Sequence, residues 1–371
     1  MSHPFKESVL TEALRFSLTG WRVLSVPLVA AAVVLEVLGV QPVLVFIASA
    51  LALVPLAGVL GHATEELSGH IGPAAGGLLN ATVGNLTELI IGVLALSQGQ
   101  VEVVKASITG SIIGNLLLVF GLAAFVGGLG RAKLSFSPVA MGANTSMLFL
   151  AVAALVMPAI FQLSLFGSLE TSGPRIERLS LWAAAVLLVS YTASLIFMLK
   201  THRSLFRGEK PDQPAVSRGA AFAVLLASAA LVALTSEILV RHIEAVTRTL
   251  GWTELFVGLV VVAIVGNAAE HSTAIFAALR DRMDLALHIA IGSSTQIALF
   301  VAPLLVMFSW LTAAPMSLVF HPLEIAAVIL SVGVVVVVAM DGETNWLEGL
   351  QLLGVYAILT VFFYVLPEPH Q

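Results

Sequence analysis

Eleven apolar runs of roughly membrane-spanning length follow one another along this chain, and an α-helix crosses a bilayer with about 20 such residues. They lie at 22–40, 43–62, 74–98, 101–127, 138–160, 178–199, 218–240, 254–280, 284–308, 320–340 and 346–366 of the 371 residues. Strands of a membrane β-barrel would instead alternate apolar and polar residues over about ten positions. The chain is 58% hydrophobic and only 11% charged, with a mean hydropathy of +1.02; a soluble domain runs nearer about 45–50% and about 25%. The sequence therefore reads as an all-α integral membrane protein surrounded by the lipid bilayer, with little chain left for a soluble domain.

Several chemistries are excluded early. There is no cysteine, hence no thiolate metal site. No basic patch with interleaved aromatics marks a nucleic-acid partner. A Walker motif is absent, so ATP does not drive the protein directly, and Gly127-Gly128-Leu129-Gly130 lacks the strand context of a nucleotide loop. Neither an H-E-x-x-H ligand set nor an activated nucleophile accompanies the buried acids described below, which argues against an enzyme. Nothing points to a bound cofactor.

Lys6, Glu7, Glu12 and Arg15 alternate with Val9, Leu10, Ala13, Leu14 and Leu18 at helical spacing, the pattern of an interfacial amphipathic helix. Eleven spans put the termini on opposite sides. A cytoplasmic N-terminus leaves twelve Lys and Arg in inside segments against five outside, the arrangement that the positive-inside rule favours. Residues 200–217, KTHRSLFRGEKPDQPAVS, form the longest polar interruption and read as a cytoplasmic linker. The expected organisation is an N-terminal segment and first span over 1–42, a five-helix repeat over 43–199, the linker, and a second five-helix repeat over 218–371. Five is odd, so the two repeats must be inverted. The membrane would be the plasma (inner) membrane of a prokaryote, or a vacuolar or other organelle membrane of a eukaryote. A homo-oligomer is left open.

The repeat is visible in the residues. Gly84-Asn85-Leu86-Thr87-Glu88 in the third span matches Gly266-Asn267-Ala268-Ala269-Glu270 in the eighth, and the following spans carry Gly110-Ser111 and Gly292-Ser293. Glu88 to Ser111 and Glu270 to Ser293 are both 23 residues. Each Asn is three residues before its Glu, on one helix face. A carboxylate at mid-membrane costs a few kcal/mol and normally faces a cavity or ion route. Neither glutamate has a Lys or Arg within two helical turns. Two carboxylates supplemented by amide, hydroxyl and carbonyl oxygens suit Ca2+, which takes 6–8 oxygen ligands, better than Mg2+. Gly84 and Gly266 suggest helices interrupted at mid-membrane, with freed carbonyls facing the ion. Ca2+ or protons can each neutralise the pair, and exchange follows if only neutralised states cross.

NATVGNLTELIIG at 80–92, GNAAEHSTAI at 266–275, GSIIGNLLLVFG at 110–121 and GSSTQIALFV at 292–301 resemble the two α-repeats of the calcium/proton exchanger (CAX) branch of the Ca2+/cation antiporter superfamily. Its sodium/calcium exchangers carry Pro-Glu and Pro-Asp where this chain has no proline. The resemblance implies an eleven-span fold, a first helix outside the repeats, and Ca2+ and H+ as substrates. It implies that Glu88 and Glu270 bind the metal and the protons, with backbone carbonyls nearby. Asn85 and Asn267 would support them, and Ser111, Asn115, Ser293 and Gln296 would line the site. Many members have an acidic segment between the halves, whereas this linker sets Lys200, Arg203, Arg207 and Lys210 against Glu209 and Asp212, which speaks against Ca2+ regulation there.

Other readings stand beside these. The serines can equally serve close helix packing, with Gly110-x-x-x-Gly114 as a small-residue contact. Asn115 follows Ser111 by four and Gln296 follows Ser293 by three, so one or both can turn away from the site. His271, about 100° round the helix from Glu270, fits packing or a proton relay better than ligation. Glu36 is placed to reach the membrane interface. Glu65 and Glu66, expected in a loop before the third span, would gather cations at the entrance. The same fold could also serve Na+ or K+/H+ antiport or Na+/Ca2+ exchange.

Overall fold

The computed structural model describes residues 20–166, 173–202 and 214–367. The N-terminal amphipathic segment and most of the linker lie outside the described residues. A 3-10 turn, Gly20–Leu24, leads into α1 (Ser25–Val37), which ends at Gly39 with φ +63°. Thirteen residues at 1.5 Å each give about 20 Å, short of a bilayer core of about 30 Å. α2 (Pro42–Ile71) is far longer than the apolar window 43–62. Ala63-Thr64-Glu65-Glu66-Leu67-Ser68 prolongs the helix until Gly72, at φ +84°, and Pro73 stop it. Glu65 and Glu66 therefore lie on the last turns of α2 and not in a loop.

Then follow α3 (Pro73–Val83), α4 (Leu86–Ser97), α5 (Val101–Gly128), α6 (Pro138–Phe166) and α7 (Pro174–Thr201). Beyond the linker come α8 (Arg218–Arg241), the short α9 (Ile243–Leu250), α10 (Glu254–Gly266), α11 (Ala268–Leu279), α12 (Met283–Ser309), α13 (Pro322–Ala339) and α14 (Trp346–Val365). Among the described residues eight helices are long and apolar enough to cross a membrane, or up to ten if α3–α4 and α10–α11 each count as one bent span. One departure from an all-helical chain is a two-residue antiparallel ribbon, β1 (Leu134–Ser135) with β2 (Glu343–Thr344), pairing Leu134 with Thr344. It ties two loops together at one end of the bundle.

α5 and α12 are buried almost all round, whereas α7 and α14 keep most of their surface bare for lipid. Both central helices pass through a π-helical turn, Gly114–Val119 in α5 and Ile297–Val301 in α12. α5 meets α10 at glycines: a Cβ on Gly110 would lie 2.1 Å from Leu259 O, and one on Gly258 2.5 Å from Val103 O. Gly114 has nothing within 4 Å of such an atom, so only the first glycine of Gly110-x-x-x-Gly114 makes this contact.

Candidate cation site

The two Gly-Asn pairs are helix breaks. α3 gives way to α4 with a 40° bend and α10 to α11 with a 59° bend. Asn85 (φ −95°, ψ 24°) and Asn267 (φ −92°, ψ 14°) leave the helical region in the same way. Each half-helix then restarts, and Glu88 and Glu270 sit in its first turn, where the unpaired N–H groups and the helix dipole favour negative charge.

The breaks meet in space. Glu88 lies against Gly266, where a Cβ would be 3.2 Å from its Cγ and 3.8 Å from its Oε1. A side chain at that position would press on Glu88, which would have to give by a few tenths of an ångström. The asparagines tie each break to the opposite half: Asn85 Nδ2 donates to Gln296 Oε1 at 2.5 Å. Asn267 Nδ2 donates to Ser111 Oγ at 2.7 Å and Ala263 O at 2.8 Å, while its Oδ1 accepts from Asn115 Nδ2 at 2.9 Å. Asn115 and Gln296 thus both turn inward despite their unequal spacing, Gln296 reaching its partner with one more methylene than an asparagine has. Ser111 is engaged with Asn267, and Ser293 faces a cavity.

That cavity, about 360 Å³, is lined by Gly84, Asn80 and Glu270 near the breaks in sequence, by Ser293 and Gln296 of α12, and by Arg22, His62 and Glu65 from α2 and the turn before α1. Glu270 faces it; Glu88 does not. Both carboxylate oxygens of Glu88, together with Asn85 Oδ1 and Asn115 Oδ1, are buried without a hydrogen-bond partner. A buried acceptor left unpaired costs about 1–3 kcal/mol, more when charged. Each of these oxygens is a hard donor of the kind a cation such as Ca2+ takes. Among the described residues no group of three or more His, Asp and Glu gathers for a metal.

Other expected residues fall elsewhere. Glu66 does not line the cavity: its Oε2 accepts from Ala215 N at 2.8 Å and Val216 N at 3.4 Å, fastening the approach to α8. His271 adjoins Glu270 without lining the cavity. Glu36 pairs with Arg241 at 2.8 Å and with His242 at 3.2 Å, joining α1 to α8. Arg22, His62 and His288 are among the cavity residues that were not foreseen, although His62 shares a helix face with Glu65 and Glu66. Glu324 was also missed: fully buried, it accepts from Thr109 Oγ1 at 2.5 Å and His321 N at 2.9 Å, holding α13 against α5.

The profile of the sodium/calcium exchanger protein family matches residues 41–200 and 220–365. The chain belongs to that family. Within it the chain stands in the calcium/proton exchanger branch. It is 44% identical to a Ca2+/H+ antiporter of Synechocystis over 87% of this chain and 91% of the relative. It is 40% identical to the Ca2+/H+ antiporter ChaA of Bacillus subtilis over 91% of this chain and 98% of the relative. The solved structure of native YfkE superposes with a TM-score of 0.81 at 38% identity, over 93% of this chain and 99% of that one. The H+/Ca2+ exchanger CAX shares the fold at a TM-score of 0.69 and 17% identity, over 96% of this chain and 92% of that one. The chain is accordingly a transporter by kinship, and its helix breaks sit inside the two matched stretches.

Proposed function

We propose that the chain is a secondary antiporter exchanging Ca2+ for H+ by alternating access around a mid-membrane site, with Glu88 and Glu270 as metal ligands and proton acceptors. The observation that carries this reading is the meeting of the two motifs, Glu88 against Gly266 and Glu270 on the cavity that Gly84 also lines. The relatives named Ca2+/H+ antiporters support the choice of ions. Carbonyls at Gly84 and Gly266 would complete the oxygen shell, with Asn85, Asn267, Ser111, Asn115, Ser293 and Gln296 lining it. One Ca2+ or two protons neutralise the pair equally, so a rule that only neutral sites cross gives obligatory exchange.

The same reading takes α1 and ten further spans as eleven, the last ten forming inverted five-helix repeats either side of the linker. Two observations support it: the family profile matches in two stretches separated at 201–219, and both Asn breaks share one backbone conformation. By the charge count the N-terminus is cytoplasmic, and the cavity then opens to the cytoplasm. The test is 45Ca2+ uptake into proteoliposomes under an imposed pH gradient without Na+. Wild type takes up Ca2+, while Glu88→Gln and Glu270→Gln each fall below about one hundredth of that rate, about 2.7 kcal/mol or more. Uptake that needs Na+ would move the assignment to sodium/calcium exchange. Uptake that survives both substitutions would remove the site.

A further inference from the structure

Two imidazoles from different helices line the cavity. His62 comes from α2 and His288 from α12, and α11 contributes Glu270 with the hydroxyls of Ser272 and Thr273. His62 Nδ1 lies 3.3 Å from Glu65 Oε2, whose side chain is 55% exposed. Glu65 is thus an exposed acid beside His62, and both line the same cavity as His288 and Glu270.

We propose that His62 and His288 carry protons between this cavity water and Glu270. The inference rests on the proton-exchange reading above. Imidazole is the side chain whose ordinary titration falls between about pH 5 and 8. It takes a proton on one ring nitrogen and releases the proton of the other, so the ring returns to its neutral form after each transfer. Arg22 lines the same cavity but stays charged at any working pH and cannot relay. It contributes a fixed positive charge that the carboxylates of Glu65 and Glu66 offset. Glu66, 4.0 Å from His62 Nε2, is held by backbone N–H groups. On the His288 side, Asp284 one turn away accepts from Ser137 N at 2.6 Å. Arg131 and Lys133 of the adjoining loop pair with Asp281 and Glu343. His62, His288 and Glu65 are the side chains that line this cavity beside Glu270 and can both take up and release a proton.

The experiment compares wild type, His62→Gln, His288→Gln and the double variant by 45Ca2+ uptake at a fixed pH difference, scanned between about pH 5 and 8. Ca2+ affinity is measured on the same preparations at high pH. The expected result is an unchanged Kd, an uptake rate lower by about tenfold at the wild-type optimum, a changed shape of the pH profile, and recovery with imidazole in the bath. A variant profile that superimposes on wild type after scaling overturns the relay. If the double variant does not fold, the single variants are read by the same criterion. Wild type without any proton-driven uptake defeats the exchange reading itself, an outcome distinct from loss of the relay alone.

Discussion

Glu270 meets the cavity, whereas both carboxylate oxygens of Glu88 are shut away against Gly266. The sequence presents the two residues as equivalent, three after an asparagine in matching spans, and nothing local separates them. Their difference comes from which side of the molecule is open. It predicts unequal accessibility, and the absence of native cysteine makes that simple to measure. A membrane-impermeant thiol reagent applied from the cavity side should label Glu270→Cys at least about tenfold faster than Glu88→Cys. Equal rates would mean that the pair is equally exposed in the resting protein. At this scale the acids, asparagines and glycines were legible because burying a carboxylate is too costly to be incidental. The cavity histidines were not, since a lone His in an apolar run carries no signal until the helix facing it is known.

At the scale of helices, the half-helices at the two breaks and the glycine contact between α5 and α10 set the geometry of the site. Gly110 approaches Leu259 so closely that a Cβ would sit 2.1 Å from a backbone oxygen, an atom that cannot move aside without the helix moving. Gly110→Ala should therefore cost at least about 1–3 kcal/mol as overpacking and lower the thermal midpoint, while Gly114→Ala, with nothing within 4 Å, should leave it nearly unchanged. A thermal-shift series in detergent reads both. Gly266→Ala presses instead on the movable Glu88 side chain, 3.2 Å away at Cγ. Its effect should appear in Ca2+ affinity before it appears in stability. Window positions anticipated these helices well, because a bilayer demands length and apolarity and little else. They misjudged α2, whose last turns are polar: hydropathy reports where the lipid ends, and helix propensity with a Gly-Pro stop reports where the helix ends.

For the molecule as a whole, the eleven-span reading puts the two termini on opposite sides, and treating α1 as an interfacial helix puts them on the same side. A fluorescent protein fused to the C-terminus of the chain, expressed in a bacterial inner membrane with the N-terminus fixed inside, distinguishes them. Eleven spans export the tag and leave it dark; ten keep it bright. Periplasmic alkaline phosphatase fused at the same point should give the opposite answer. The short α1 is the element on which this turns. It is held to α8 by Glu36 with Arg241 and His242, so its place is set by an ion cluster as well as by its apolar face.

What the sequence determined by itself was the helical membrane class, the places of the long apolar helices and the two acid-bearing motifs. All three follow from local rules: apolar length, charge placement, and the expense of a carboxylate in lipid. What only the tertiary structure decided was contact across the halves. Glu88 against Gly266, Asn85 on Gln296 and Asn267 on Ser111 and Asn115 join residues more than 150 positions apart. So did the opening of the cavity toward Glu270 alone, because access depends on how whole helices lean against one another, and no span records that in its own residues.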